Sequence, residues 1–508
     1  MSVNTTSELL NIGHDDAIAI KAPGRSPLSY AAIRSLSKRT QQSLSQAGIA
    51  KKDRVAIVLP NGPEMATAFV TISGASTTAP LNPAYRQEEF EFYLDDLKAR
   101  ALVVEAGSAS PAVAAAQKLG IPLINLVTNS SHAAGDFDLT FETTAPNAAA
   151  NNAAVDENDI ALILHTSGTT SRPKIVPLSH INVTSSAENI MNTLSLVPGD
   201  RCLNIMPLFH IHGLIATVLS SLRAGASIYC TPGFNALKYF SWMDDSKPTW
   251  YSAVPTMHQA ILTRAARSKD IIDAVPLRFI RSSSSSLPPQ VMAELENTFA
   301  APVIEAYGMT EAAHQMASNP LPPAVRKAGT VGIAAGPEVG IMSLEGEILK
   351  NGEVGEIVIR GQNVTKGYEN NPKANEENFT NGWFRTGDQG VLDAEGYVSI
   401  TGRLKEIINR GGEKISPREV DEVLMDHPAI QQCVTFAMPH PKLGEEVAAA
   451  VVLKEGMTAD EKDIRTFTAV HLADFKVPRK VLILDEIPKG ATGKLQRIGL
   501  AEKLGLAG

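Results

Sequence analysis

The chain has 508 residues, more than one ordinary domain holds, so two to four units are expected. Apolar residues make up 44% and charged residues 20%, the balance of a soluble globular enzyme, and the net charge of −8 supplies no bulk basic field for nucleic acid. The charges balance from Arg403 onward, so the excess acid lies in residues 1–402 and any anionic ligand must be held by local groups.

Cys202, Cys230 and Cys433 are far apart, which argues against a disulfide framework or a zinc site. The opening Met-Ser-Val-Asn-Thr-Thr-Ser has no cationic or long apolar region, and no apolar run reaches the roughly 18 residues of a membrane span. The closing Gly-Leu-Ala-Gly is not a peroxisomal Ser-Lys-Leu address. A reducing, cytoplasmic setting with no membrane partner is the expectation.

Helical spacing at Tyr30–Ala47, an apolar strand at Arg54–Leu59 and a helix at Glu64–Ser73 begin an alternating pattern. It continues with a strand near Thr78–Leu81, a helix at Gln87–Leu97 and a strand at Ala101–Glu105. This βαβα rhythm predicts a mostly parallel sheet covered on both faces. Thr128–Asn152, rich in Ser, Asn, Ala and Thr, reads as a surface connection. Ile160–Leu164 is a buried strand, and Ser179–Leu194 a helix. Cys202–Met206 is a strand, and Leu214–Leu222 a long apolar helix. Further strands are expected at Ser227–Cys230, Trp250–Val254, Leu277–Arg281 and Pro302–Tyr307. From Gly329 the pattern turns to short strands, glycines and turns, an all-β subdomain over about 329–402. Gly402–Lys405 is short, polar and charged, a natural boundary before a compact tail, 403–508, with βαβ features.

Several strings carry chemistry. After Ile160–Leu164 come His165, Thr166, Ser167, Gly168, Thr169, Thr170 and Ser171, with Lys174 just beyond. Clustered hydroxyls and backbone N–H groups beside a fixed cation suit a polyphosphate, although the same residues also make a polar surface turn. The Gly-x-x-x-x-Gly-Lys spacing of a P-loop is absent. Tyr307-Gly308-Met309-Thr310-Glu311 follows the end of a strand, where open α/β sheets bind ligands. Tyr307 offers a flat face for a purine, or packs in the core. Thr310 offers a hydroxyl, and Glu311 a carboxylate for Mg²⁺. Asp388, in a Gly-rich turn, can accept two vicinal hydroxyls or form an Asx turn. Gly411-Gly412 reads as a hairpin turn or as a place of close backbone approach.

Taken in order, these strings resemble the acyl-adenylate-forming enzymes, a family of acyl-CoA synthetases, peptide-synthetase adenylation domains and beetle luciferases. The likeness spans essentially the whole chain. Two departures stand out: Ser171 and Ile175 replace glycines of the family pattern, and His165 replaces an aromatic residue. The resemblance implies a large α/β N-terminal domain of βαβ-built sheets packed with helices, a β-rich subdomain, and a small mobile α+β lid pivoting at Lys405. It implies phosphate binding by Thr166, Ser167, Gly168, Thr169, Thr170 and Lys174, and adenine binding by Ala306 and Tyr307. It also implies an α-phosphate contact for Thr310, Mg²⁺ held by Glu311 and Thr166, and ribose contacts for Asp388 and Arg403. Coenzyme A would pass Gly411 and Gly412, and Lys494 would reach the carboxylate and α-phosphate during adenylation. ATP, Mg²⁺ and coenzyme A are thus the expected cofactors and co-substrates.

The acid is read from departures at the acyl pocket. His210, in Pro207–Gly213, falls where the family places a residue between acid and thiol tunnel, while His212 suits a satisfied core position. Five serines, Ser282–Ser286, follow Arg281, and His314 follows Glu311 closely. Ser282, Ser284 and His314 should converge from strand ends, or from the start of a following helix, on one pocket. A long acyl tail there would leave polar groups unpaired at roughly 1–3 kcal/mol each, whereas a small doubly charged acid would satisfy hydroxyls and a protonated His314. These strings look most like the oxalate–CoA ligase branch of the family, which implies oxalate, ATP and coenzyme A as substrates. Other readings are a 4-coumarate or medium-chain acyl ligase, an adenylation enzyme charging a carrier protein, and a nucleotide-binding protein without catalysis.

Overall fold

Short runs rich in Val, Ile, Leu and Ala cannot face water on either side, so they pair in parallel and are covered by helices on both faces. The structure, a computed structural model, describes residues 3–141, 154–166, 173–488 and 495–506. Among the described residues the strands form four sheets. In a seven-stranded sheet, Leu123–Val127, Ala101–Glu105, Arg54–Val58, Thr77–Pro80 and Ile160–Thr166 run parallel, with antiparallel strands Asp138–Phe141 and Lys174–Ser179 at the edges. In a nine-stranded sheet, the parallel strands Val303–Met309, Phe279–Ser283, Trp250–Ala253, Arg201–Asn204, Ser227–Cys230 and Ile18–Lys21 are neighbours in that order.

One core cluster contains residues of both large sheets. The helix Pro63–Ser73, buried on nearly every residue, belongs to it, as expected of a helix apolar all round. The expected apolar helix after Pro207–His212 is present, but its first part, His212–Leu219, has π-helical bonding and only Ser220–Arg223 is α. π-helical bonding frequently accompanies functional sites. Gly213 permits its start, because a Cβ there would lie 2.3 Å from the Pro207 carbonyl oxygen.

The third sheet, five antiparallel strands from Glu338–Met342 to Val398–Arg403, gives the region from Gly329 its β character, but the region is not all-β as expected: Pro372–Asn378 is a helix, and Ile333–Ala334 pairs with the nine-stranded sheet. The fourth contains Ile408–Arg410, Glu413–Ile415, Ile430–His440, Gly444–Leu453 and Lys480–Ile483, packed by Pro417–Met425 and Glu461–His471. A turn at Leu404–Glu406 joins the third sheet to the fourth.

Three local expectations are corrected. The surface connection at Thr128–Asn152 contains the edge strand Asp138–Phe141, whose Leu139 and Phe141 pack on the core while Asp138 and Thr140 face out (142–153 lie outside the described residues). The strand expected to end at Arg281 runs on through Ser283, so Ser282 and Ser283 are sheet residues. Residues after Glu311 form not a helix but a single 3₁₀ turn, Thr310–Ala312, and an antiparallel strand, His314–Ser318. Gly308 allows that return: a Cβ there would sit 1.7 Å from the His314 carbonyl oxygen. Among the described residues, no helix is long and apolar enough to cross a membrane.

Candidate active site

The chemistry-bearing residues gather where parallel strands of the nine-stranded sheet end and the third sheet approaches. Tyr307 lies near the end of Val303–Met309 and is 9% exposed. Its hydroxyl donates to Asp388 Oδ2, and Arg403 Nε donates to Asp388 Oδ1 at 2.8 Å. Asp388 and Arg403 are direct cross-strand partners, so the register of the third sheet sets this pair. The buried Asp388 carboxylate retains acceptor capacity beyond these two bonds, as a ribose contact requires. Ala306 is buried, and its carbonyl accepts from Ser283 Oγ at 2.9 Å.

Glu311 is 6% exposed and accepts the Tyr368 hydroxyl at Oε1, 2.7 Å. Lys174 Nζ lies 4.3 Å from the centre of the Tyr368 ring. Burial raises the Glu311 pKa, while Tyr368, Arg403 and Lys174 oppose that shift. Burial likewise lowers the Lys174 pKa, with Lys405 adding to the shift and Glu311 opposing it. A buried carboxylate raised by desolvation, with one oxygen engaged, suits a hard cation that also takes phosphate oxygens. Thr166, half-buried and paired with Lys174 across Ile160–Thr166 and Lys174–Ser179, is the second expected ligand. Thr310 is half-buried in the turn before Glu311.

His165 packs edge-on against Tyr93, with ring centres 4.7 Å apart, and its Nε2 lies 3.1 Å from Asp96 Oδ2. An imidazole here thus fills an aromatic slot and gains a carboxylate partner. Ser167, Gly168, Thr169, Thr170 and Lys494 lie outside the described residues.

A second polar cluster surrounds His212. His212 is fully buried between two hydroxyls, with Nε2 2.6 Å from Ser252 Oγ and Nδ1 3.0 Å from Ser284 Oγ. Its ring stacks on His314 at 4.9 Å between centres and 23° between planes. His314 is 1% exposed, and Arg281 Nη1 lies 3.1 Å from its Nε2. Arg281 can only donate, so Nε2 accepts and the proton sits on Nδ1. Beside Arg281 the neutral ring is the form that fits this contact, whereas the protonated His314 expected from sequence depends on a carboxylate neighbour. Ser284 and His314 both hold left-handed backbone, φ 75° and 98°. Such conformations cost about 1–3 kcal/mol each and cluster at functional sites. Ser282 is fully buried, with no hydrogen-bond partner for its Oγ. Half-buried His210 accepts the His212 backbone N–H at Nδ1, 3.3 Å.

Lys405 is exposed in the turn Leu404–Glu406. Gly411 and Gly412, at φ 60° and 102°, join Ile408–Arg410 to Glu413–Ile415 in a two-residue hairpin. Both positive angles account for the glycine pair. Arg281, Ser252 and Tyr368 were not singled out by sequence. An arginine in a strand otherwise built of buried residues was the available signal for the first.

The two nucleotide-side constellations make a direct prediction. Asp388→Asn keeps the side-chain shape but removes the charge facing Arg403 and the Tyr307 hydroxyl. ATP affinity, measured by calorimetry, should fall by about 10- to 100-fold. Unchanged affinity would show that Asp388 only braces the third sheet.

The fold and the site together define an acyl-adenylate-forming enzyme. The chain superposes on the ATP-bound crystal structure of MatB from Rhodopseudomonas palustris with a TM-score of 0.87, at 29% identity and covering 99% of both chains. The model for AMP-binding enzymes matches residues 12–369, and that for the AMP-binding enzyme C-terminal domain matches 419–494. This chain belongs to the AMP-binding enzyme family. It is 46% identical to an oxalate–CoA ligase of Arabidopsis thaliana, covering 95% of this chain and 94% of that protein. It is 44% identical to an oxalate–CoA ligase of Saccharomyces cerevisiae, covering 89% and 87%.

Proposed function

We propose that this protein is an AMP-forming acid–CoA ligase whose acid is oxalate, converting oxalate, ATP and coenzyme A to oxalyl-CoA, AMP and diphosphate. The observation that carries the choice of acid is the gathering of His212, Ser252, Ser284 and His314 into one hydrogen-bonded, stacked cluster. An aryl or fatty tail offers no acceptor to this polar cluster, whereas a second carboxylate does. The two oxalate–CoA ligases above support the same reading.

In the first half-reaction a carboxylate oxygen of the acid attacks the α-phosphorus of ATP, the bond to the bridging β-phosphate oxygen breaks, and diphosphate leaves. Tyr307 packs on adenine beside Ala306, Asp388 and Arg403 take the ribose hydroxyls, and Thr310 contacts the α-phosphate. Lys174 and the 166–170 segment hold the outer phosphates. Glu311 and Thr166 would hold Mg²⁺, which supplies charge neutralisation on the phosphates. Residues 403–508 form the lid on the body 1–402. The lid turns about Lys405 and brings Gly411 and Gly412 to the pantetheine chain. The thiolate of coenzyme A then attacks the acyl carbonyl past His210 and AMP departs. The enzyme acts in the cytoplasm on these small molecules, with neither nucleic acid nor membrane as partner.

The test is diphosphate release across mono- and dicarboxylic acids, with and without coenzyme A. Oxalate should give the highest kcat/KM, and sustained turnover should require coenzyme A. Preference for hexanoate or coumarate would overturn the choice of acid. Transfer to a phosphopantetheinyl protein but not to free coenzyme A would make the chain a carrier-charging enzyme.

A further inference from the structure

Arg281 is fully buried, in the middle of the strand Phe279–Ser283. Its guanidinium reaches three acceptors: His314 Nε2 at 3.1 Å, Gln315 Oε1 at 3.3 Å and, at the limit of a hydrogen bond, Ser252 Oγ at 3.5 Å. All three are neutral, and its Nε has no partner. Among the described residues no carboxylate lies within ion-pair distance of it. The neighbouring Cys202 thiol is pushed well up by burial and so supplies no counter-charge. Burial draws the Arg281 pKa down to about 9, which still leaves it charged near neutrality. A buried cation without an anion costs several kcal/mol unless something returns that energy. Nothing in the described nucleotide side does so, because Arg403 answers Asp388 and Tyr368 answers Glu311.

We propose that Arg281 is the specificity-determining counter-charge for the second carboxylate of the acid, acting through the His314 ring rather than by contact. This rests on the oxalate reading. Three consequences of the geometry support it. Arg281 fixes His314 with its proton on Nδ1, making the ring a donor. It places a positive charge one imidazole away from the pocket, where the low dielectric leaves that charge poorly screened. Its own burial prevents it from pairing with solvent anions or with the phosphates of ATP. Ser252, its cross-strand partner in register, ties the same guanidinium to His212 and thence to Ser284, so the whole donor set is oriented from one buried charge. A monocarboxylic acid of equal length gains nothing from that arrangement.

The test uses Arg281→Met, Arg281→Gln and Arg281→Lys in the full-length enzyme, with KM for oxalate, acetate and ATP and the melting temperature as readouts. Replacing a buried ion by an apolar residue of similar volume is often neutral or stabilising, so the Met variant should melt no lower than wild type. Its KM for oxalate should rise roughly 10²-fold, KM for ATP should stay within twofold, and the ratio of oxalate to acetate kcat/KM should collapse. Gln should behave like Met, and Lys should restore part of the oxalate KM. Should Met fail to fold, the Gln and Lys pair carries the same comparison. An unchanged oxalate KM in a folded Met or Gln variant, or equal losses for oxalate and acetate, overturns the role of Arg281 alone. Wild-type enzyme that releases no diphosphate with oxalate overturns the choice of acid, and this inference with it.

Discussion

Lys494→Ala should reduce diphosphate release from ATP and acid by on the order of 10³-fold, while thioester formation from pre-made acyl-adenylate and coenzyme A stays within a few-fold. The reason is electrostatic. A carboxylate is a weak nucleophile approaching an anionic phosphate, and the repulsion must be offset by a cation placed at both reacting groups. The second half-reaction begins with a neutral acyl carbonyl and has no such demand. Lys494 lies outside the described residues, but the chain just beyond it is anchored. Arg497 pairs with Asp421 of the helix Pro417–Met425, and its Nη1 lies 3.6 Å from Glu406, next to Lys405. The chain at Arg497 therefore belongs to the same unit as the Gly411–Gly412 hairpin. If the lysine and the hairpin act on the same reacting centre in different steps, as proposed, the two steps need two orientations of the lid. Measuring the half-reactions separately decides the matter, and equal losses in both would refute the division of labour. A melting curve accompanies the assay to show that the variant is folded.

How far the sequence led depended on whether local pattern or tertiary pairing decided each element. Arg54–Val58, Pro63–Ser73 and Ala101–Glu105 were legible because they are largely apolar runs whose lengths separate strand from helix. The strand His314–Ser318 was not. Ala312, Ala313, Gln315, Met316 and Ala317 read locally as helix formers, but the close approach at Gly308 lets the chain return as an antiparallel neighbour. Tertiary pairing there overrides propensity. Asp138–Phe141 was missed although Asp-Leu-Thr-Phe alternates, because four residues in a stretch rich in Ser, Asn, Ala and Thr are too few to stand out. The site divides in the same way. Tyr307, Glu311, Asp388, Arg403 and His314 stand in distinctive strings. Tyr368 and Ser252 are ordinary in their own surroundings and acquire a role only from partners 57 and 40 residues away, Glu311 and His212. His212, read as a core histidine, is indeed buried, yet it lies in contact with His314 and Ser284.

His314→Ala should lower kcat/KM for oxalate by on the order of 10²-fold or more, with ATP binding almost unchanged. Bringing the second carboxylate of oxalate out of water is costly unless donors replace the lost hydration. The His314 ring, held by Arg281 as an Nδ1–H donor, is one such donor, and its loss also removes the bridge to the buried charge. Ser284→Ala should act in the same direction more weakly, since its hydroxyl is linked to Arg281 only through His212 and Ser252. A purely structural His314 would predict a lower melting temperature with unchanged oxalate kinetics, so stability and kinetics must be read together. Backbone conformation gives the sharper comparison. At φ 98° an alanine remains strained whereas a glycine does not. At an ordinary strand position glycine would be less stable than alanine by about 0.5–1 kcal/mol. Here His314→Gly should be at least as stable as His314→Ala, yet equally poor with oxalate. That reversal, stability recovered without activity, would show that the imidazole is kept in a strained position for what it does to the acid. Were the glycine variant to keep wild-type kinetics with oxalate, His314 would have no part in recognising it.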